Sequence, residues 1–167
     1  MAIYRIFPEK DTFIFSENST ANAGRDEIVE IGGYPGTIDG TGQASRILTK
    51  FSDEDIEDVV DNKIGNTNFS SSLKLYLASA NDLPVDYITY AYPTSTTGTG
   101  EWDNGTGKFG DLPVNRTGAS WIYKNSGQSN AWNTSGLSAT NTGSLLVLFP
   151  IRCKPEQMVL KMNWYQF

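Results

Sequence analysis

SLKLYLAS, residues 72–79, is the stretch that decides the fold class. Its three leucines recur at every second position, and Lys74 and Tyr76 fall between them. Successive side chains of a β-strand point to opposite faces of the sheet, so the leucines share one face and the intervening residues share the other. The alternation therefore predicts an amphipathic strand with one buried and one exposed face.

Short apolar runs recur along the rest of the chain and are bounded by turn-forming residues. Strands are predicted at residues 3–7, 12–15, 28–31, 46–51, 72–79, 87–92, 119–123, 145–149 and 158–167. We interpret residues 9–11 as a tight charged turn and expect residues 46–51 to form a central strand. A short helical turn is predicted at residues 53–60, because Ser52 or Asp53 can cap its start and one apolar face could touch the core.

One domain, residues 1–167, is expected, because a chain of 167 residues suits a single core and neither a linker nor an internal repeat divides it. Aromatic residues make up 12% of the chain, which argues against disorder. The number and spacing of the apolar runs favour a sandwich over a parallel α/β sheet. The predicted fold class is all-β, a jelly-roll-like antiparallel β-sandwich with one short helical turn.

Charge and missing residue types exclude several functions. The net charge of −6 disfavours nucleic-acid binding, and the absence of histidine excludes Ser-His-Asp triads and His-based zinc sites. Cys153 is the only cysteine, so it forms neither an internal disulfide nor a thiolate cluster. The sequence has no signal-peptide pattern and no apolar run that could span a membrane. We therefore expect no enzymatic activity, no cofactor, no metal, no nucleic-acid or membrane partner, and synthesis in the cytoplasm.

Two acidic stretches leave calcium binding open as an alternative. Asp53, Asp55, Asp58 and Asp61 form an acidic run, but their spacing fits no EF-hand loop, so we favour a solvated helical turn. Residues 103–107 offer carboxylate and carbonyl oxygens. Their Asn-Gly pair favours a turn between two strands instead.

Aromatic side chains are the candidate contacts for a partner or a glycan: Trp132, Trp164, Tyr165 and Phe167. Trp132 is expected to be exposed, because it lies in a polar loop. The other three are expected to pack on their own sheet or on a neighbouring subunit. Glycosidase chemistry would need a pair of suitably spaced carboxylates, and only Glu101 and Asp103, which flank Trp102, come near that pattern.

Several short motifs follow one another in a recognisable order. They are DTFI at 11–14, NAG at 22–24, IVEI at 28–31, SRILTKF at 45–51, SLKLY at 72–76, EWDNGTG at 101–107 and GASW at 118–121. Over residues 11–123 this order resembles the DNRLRE-type β-sandwich domains of bacterial surface proteins and phage structural proteins. The resemblance implies a sandwich, buried roles for Trp102 and Trp121, and no catalytic residues. Residues 144–167 diverge from the family pattern.

A phage origin is favoured by the missing secretion signal and by the acidic, cysteine-poor composition. We therefore predict a non-enzymatic structural protein of a tailed-phage virion, located in the capsid decoration, the neck or collar, or the tail. Its expected partners are other virion proteins and further copies of itself. The alternative is a carbohydrate-binding or adhesin module of a phage fibre or cell-surface protein.

Overall fold

The computed structural model describes residues 2–30, 33–34, 43–65, 69–76, 101–132 and 158–160. Helix is scarce in this part of the chain, and the strands pair antiparallel. The elements are β1 (Pro8–Phe15), β2 (Gly33–Tyr34), β3 (Gln43–Phe51), α1 (Asp53–Glu57), a π-helical segment (Asp58–Ile64), β4 (Leu73–Leu75) and β5 (Met158–Leu160). The predicted mostly-β character is confirmed, whereas the sandwich stays a prediction.

β3 lies at the centre of a three-stranded sheet in the order β1-β3-β2, as predicted for residues 46–51. In the antiparallel ladder Phe13 of β1 lies opposite Ile47 of β3. The pairing continues one step past β1, because Ser16 N–H donates to the carbonyl of Ala44 and Ser16 Oγ accepts from Ala44 N–H, both at 3.0 Å. β1 is thereby paired with β3 from Pro8 onward, with one shift of register between Pro8 and Lys10.

Both faces of β1 are buried at its C-terminal end. Ile14 packs on one face with Leu48 and with loop residues Trp102, Ala119 and Trp132. Phe13 and Phe15 pack on the other face with Ala21 and Ala23. Because side chains alternate along a strand, β1 contributes to both core clusters. The described core therefore lies on the two sides of β1 and is completed by loops.

Two predictions for the beginning of the chain are wrong. Residues 9–11 belong to β1 and do not form a turn, and residues 3–7 form no strand. The length of the partner strand explains both results. Pro8 is paired with Phe51, where β3 ends, and Ser52 already caps α1. A strand at residues 3–7 would have no continuation of β3 to pair with.

Residues 2–7, called the arm below, have no regular secondary structure. The arm reads AIYRIF, so a single cation, Arg5, is surrounded by apolar and aromatic residues. Ile3 is 80% exposed, Phe7 is 77% exposed, and the Arg5 side chain is exposed as well. The arm is therefore an apolar segment that its own described core leaves largely uncovered.

Ser52 caps the helix α1: its hydroxyl accepts a hydrogen bond from the Asp55 N–H at 3.2 Å, as predicted for the cap. Acidic residues in its first turn complement the positive end of the helix dipole. The helical backbone continues as the π-helical segment up to Gly65, which has a φ of 73°. The apolar face that could touch the core is not fully buried: Ile56 is exposed, and Val59 and Val60 are half-buried.

Two further strand predictions fail where the structure describes the residues. Residues 28–30 form no strand, and residues 119–123 contain only an isolated bridge from Tyr123 to Ala131. In both stretches the side chains still pack partly inward, since Val29 and Ala119 contribute to the two core clusters. The apolar residues in these two stretches belong to loops that pack on the core, and not to strands that pair in a sheet.

Short strands do occur within the predicted runs at 72–79 and 158–167, where β4 pairs antiparallel with β5. The predicted strands at 87–92 and 145–149 lie outside the described residues. Of the helices in the described part of the chain, none is long and apolar enough to cross a membrane.

Candidate functional site

A surface cleft of about 270 Å³ lies beside β1. It is lined by Phe13 of β1, by Asp26, Glu27, Ile28 and Glu30 of the following loop, and by residues 108–109. We call it the acidic cleft. Sites for whole small molecules usually measure about 300–1,000 Å³, so a space of this size suits one or two side chains of a partner.

Two aromatic residues line the acidic cleft, Phe13 and Phe109, and both contact Phe15. Ring centroids are 5.6 Å apart for Phe13 and Phe15, 5.8 Å for Phe13 and Phe109, and 4.9 Å for Phe15 and Phe109, the last pair meeting edge-on. These separations fall in the range of stabilising aromatic pairs. Phe13 and Phe15 are buried, whereas Phe109 is 49% exposed and Ile28 is 55% exposed. The cleft thus presents an apolar surface on a supported base.

The other lining groups give the cleft its negative charge. Among the described lining residues, three carry carboxylates, Asp26, Glu27 and Glu30, and one carries an ammonium group, Lys108. Asp26 Oδ2 accepts a hydrogen bond from the Phe109 N–H at 2.7 Å, which joins the two loops and holds this carboxylate in place. An excess of carboxylates beside exposed apolar groups suits a cationic side chain with apolar neighbours.

A buried asparagine joins the loops that form the cleft. Asn22 Nδ2 donates to the carbonyl oxygens of Asn104 and Ala119, both at 2.8 Å. Asn22 Oδ1 accepts from the N–H groups of Gly24 at 3.1 Å and Gly107 at 2.9 Å. The side chain is 1% exposed and uses its two N–H donors and both lone pairs of its oxygen. We call these five residues the Asn22 junction.

Main-chain hydrogen bonds extend the Asn22 junction towards the cleft. The Arg25 N–H donates to the Gly107 carbonyl at 2.9 Å, and the Asn22 N–H donates to the Asn115 carbonyl at 3.0 Å. A Cβ atom at Gly107 would lie 2.1 Å from the Asn22 carbonyl oxygen, and Gly105 has a φ of 81°. Only glycine meets both requirements without strain. The loops on the two sides of the cleft therefore form one tightly packed unit.

A second polar group fixes the loop that carries Trp102. The Lys10 ammonium donates to the Trp102 carbonyl and lies 4.7 Å from the centre of its ring. Glu101 forms ion pairs with Lys10 at 3.7 Å and with Lys50 at 3.4 Å. The Glu101 carboxylate is largely exposed, so each pair contributes only about 0–1 kcal/mol to stability. Glu101 therefore helps to fix the position of the loop that carries Trp102.

The prediction that Trp132 is exposed is wrong. Its side chain is 6% exposed and packs in the core with Ile14. Its Nε1–H donates to the Ser120 carbonyl at 2.8 Å. A tryptophan is readily buried once its N–H has a partner, and here the partner is a backbone carbonyl 12 positions earlier in the chain. Trp132 therefore offers no free face for stacking a sugar or a partner.

The other candidate aromatic residues have different outcomes. Trp102 is buried, as the family resemblance implies. Trp121 is only partly buried against the same core cluster, and the Arg46 guanidinium lies 5.2 Å from the centre of its ring. Trp164, Tyr165 and Phe167 lie outside the described residues.

The acidic run lies on the surface, as the favoured interpretation expected. Its members Asp53, Asp55, Asp58 and Asp61 are all exposed. A hydrogen bond from the Asn62 amide at 2.9 Å lowers the pKa of the Asp58 carboxyl below its ordinary value. Lys63, at 3.6 Å, adds to the effect, and desolvation opposes it. Within the described ranges, no group of three His, Cys, Asp or Glu residues is placed to hold a metal ion.

Residues 103–107 do not form a turn between two strands, which corrects the interpretation of the Asn-Gly pair. Asp103 Oδ2 accepts from the Ser126 N–H at 2.9 Å, and the Asn104 carbonyl belongs to the Asn22 junction. Gly105 does have the positive φ that such a turn needs. Here that conformation serves close packing of loops.

Neither Asn22 nor the acidic cleft is evident from the sequence. Gly24 and Gly107 lie 2 and 85 positions from Asn22, so only the first partner is local. Glycines in polar stretches ordinarily indicate turns. Loops that combine glycine with a tryptophan or alanine, as at 101–107 and 118–121, are the signal that could have indicated buried loop packing.

Comparison of the chain with models of known families found no match, and curated proteins and solved structures gave none either. The resemblance to DNRLRE-type domains therefore stays a prediction that rests on the motifs at residues 11–123. Three of those motifs, at 22–24, 101–107 and 118–121, meet in the Asn22 junction.

Proposed function

We propose that the chain is a non-enzymatic structural protein of a tailed-phage virion, a capsid decoration, neck or collar, or tail component that works through protein–protein contacts. Its strands would complete a jelly-roll-like β-sandwich. The exposed arm is the observation that carries this proposal. Apolar side chains scattered singly on a surface are common, but a contiguous exposed apolar segment is typical of an interaction site.

The composition of the arm supports a protein partner. Ile3, Tyr4, Ile6 and Phe7 supply apolar contact area, and Arg5 supplies one directional charge. Tyrosine, phenylalanine and arginine are enriched in protein interfaces, where they provide much of the binding energy. The net charge of −6 makes a nucleic-acid phosphate backbone an unfavourable partner.

The hydrogen-bonded loops around Asn22 also support a function in protein–protein contacts. The Asn22 junction and its close glycine contacts hold the loop surface in one arrangement. A preorganised surface loses little conformational entropy on binding, which favours repeated assembly of identical contacts. The motif order at residues 11–123 adds the resemblance to phage structural proteins.

Carbohydrate binding is not proposed as a second function. Trp132 is the candidate stacking residue within the described chain, and its side chain is buried. A sugar would need an exposed aromatic face in its place. The exposed ring of Phe109 lies instead in a cleft dominated by carboxylates.

The proposal is tested on purified particles of the phage that encodes the chain. Quantitative mass spectrometry is expected to find the protein in the particles at a fixed copy number. Replacing two apolar residues of the arm, Ile3→Ser with Phe7→Ser, should lower that copy number at least about tenfold, since each loses a hydrophobic contact of about 1.5–3 kcal/mol. Absence of the wild-type protein from the particles would overturn the proposal.

A matched control replaces two other exposed apolar residues, Tyr76→Ser with Leu112→Ser, which lie outside the arm. This variant is expected to enter particles at the wild-type copy number. Circular dichroism of both purified variants checks that each is folded. An equal loss in the two variants would show that the arm has no special part in assembly.

A further inference from the structure

We propose that the arm of one copy docks in the acidic cleft of a second copy of this chain, and that the exchange is reciprocal. This inference rests on the proposed function, because it names the partner through which the chain first assembles. It joins two features of the described surface that are otherwise unexplained, the exposed arm and the acidic cleft.

The arm cannot complete its own sheet by simple extension. β3, the strand next to β1, ends at Phe51 opposite Pro8, so the ladder stops where the arm begins. Pro8 also lacks the N–H that a further ladder bond would need. The backbone and the apolar side chains of the arm are therefore available to another surface.

The arm and the acidic cleft are complementary in charge. Arg5 is the single ionisable cation of the arm. The described lining of the cleft holds three carboxylates, those of Asp26, Glu27 and Glu30, and one ammonium, that of Lys108. An arginine near this rim gains attraction from more than one carboxylate. Such complementarity selects the partner and its orientation.

They are also complementary in apolar surface. Phe109 and Ile28 expose about half of their side chains at the cleft, and Phe7 and Ile3 expose most of theirs on the arm. The cleft volume of about 270 Å³ has room for one or two side chains, which matches an arm that inserts a few residues. Burying these groups against each other removes apolar area from water on both partners.

The direction of β1 favours a second copy over the chain's own arm. Phe13 lies five residues beyond Pro8, roughly 17 Å further along the strand. The six residues of the arm leave from the opposite end and reach about 20 Å when fully extended. Docking in its own cleft would require the arm to reverse at Pro8 and run back along the whole strand. A neighbouring copy is reached without such a reversal, and reciprocal exchange gives a closed two-fold dimer.

Charge exchange between separate chains tests the proposal. One chain carries Arg5→Glu, and a second carries Glu27→Lys with Glu30→Lys. Neither Glu27 nor Glu30 side chain belongs to the Asn22 junction. Light scattering coupled to size-exclusion chromatography then measures the mass of each full chain and of their equimolar mixture, over about 1 μM to 1 mM, the span of weak to moderate affinities.

The wild-type chain is expected to form dimers, and each charge variant alone should associate at least about tenfold more weakly, because the attraction becomes a repulsion at both arm–cleft contacts of the dimer. The mixture should recover dimers, since each arm then meets a cleft of opposite charge. The control Arg116→Glu, an exposed arginine outside both features, should associate like the wild type. Circular dichroism confirms that the variants are folded.

A wild-type chain that stays monomeric over the whole range would overturn this inference, and so would charge variants that dimerise like the wild type. If the arm docks in its own cleft, the chain should be monomeric at every concentration, and mixing the two charge variants should recover no dimers. The same measurements therefore distinguish docking within one chain from exchange between two copies. The proposed function fails separately, when a chain that dimerises as described is absent from purified virions. Incorporation into virions without arm-dependent dimers would refute the inference alone.

Discussion

Replacing Asn22 by alanine is expected to lower the free energy of unfolding by about 3–5 kcal/mol. The substitution removes four hydrogen bonds at once. It leaves the Gly107 N–H and the Ala119 carbonyl buried without partners, and the Gly24 N–H and Asn104 carbonyl partly so. Each fully buried group that loses its partner costs about 1–3 kcal/mol, and the partly buried pair recovers some hydration. The loss is a large part of the total stability of about 5–15 kcal/mol.

Urea unfolding followed by tryptophan fluorescence measures this change, because Trp102 and Trp132 are buried in the core next to the junction. The matched control is Asn125→Ala. Its side chain accepts long, exposed hydrogen bonds of 3.3 Å and 3.4 Å from the N–H groups of Ser129 and Asn130. Water replaces such contacts readily, so the control should lose less than about 1 kcal/mol.

Equal losses of stability in Asn22→Ala and Asn125→Ala would contradict a structural role for the four hydrogen bonds of Asn22. A common small loss would mean that water or a shifted loop satisfies the four groups in the alanine variant. A change in the slope of the urea dependence must be checked as well, since it would indicate an altered denatured state.

Three further predictions concern separate features. Gly107→Ala should lower the free energy of unfolding in urea by about 2–3 kcal/mol, because its Cβ would lie 2.1 Å from a backbone oxygen. The control Gly127→Ala, whose Cβ would have its nearest neighbour at 3.4 Å, should change it by less than about 0.5 kcal/mol. Equal losses in the two variants would contradict the close packing at Gly107. Trp132→Ala should cost about 3–5 kcal/mol in the same assay, and a loss below about 1 kcal/mol would mean that the ring is exposed after all. Asn62→Ala should raise the pKa of Asp58 towards its ordinary value in an NMR titration, because the lost hydrogen bond favours the carboxylate. Because the pKa of Asp58 is lowered in the folded state, its small stabilising effect is present above the pKa of the unfolded chain and is lost as the pH falls through the pKa of the folded one. An Asp58 titration that is unchanged in Asn62→Ala would show that the Asn62 hydrogen bond does not lower this pKa.

The sequence pattern predicted the structure correctly where the deciding residues lie within the segment itself or in the strand that pairs with it. Residues 46–51 combine β-branched and apolar side chains, and β3 is the central strand of its sheet. Ser52 caps α1 because its hydroxyl reaches an N–H three residues later. In both cases the residues that decide the structure are neighbours in sequence or lie in one ladder.

The sequence pattern gave wrong predictions where a residue far away in the sequence decides the structure. Residues 3–7 have the character of a strand, yet the end of β3 at Phe51 leaves them unpaired. Trp132 lies in a polar loop, yet the Ser120 carbonyl and a pocket beside Ile14 bury it. The acidic cleft depends on two loops about 80 residues apart, and their approach is set by hydrogen bonds that no local window contains.

The Asn22 junction joins residues that the ribosome makes at well-separated times. Its partners Asn104, Gly107 and Ala119 lie 82, 85 and 97 positions after Asn22. At about 5–20 residues per second, a ribosome needs roughly 4–20 s to produce them once Asn22 has been made. Until Phe109 has been made, Phe13 and Phe15 lack its contact, so part of their aromatic surface stays exposed on the nascent chain. Soluble yield should therefore respond to chaperone supply during translation and not only to the stability of the finished fold.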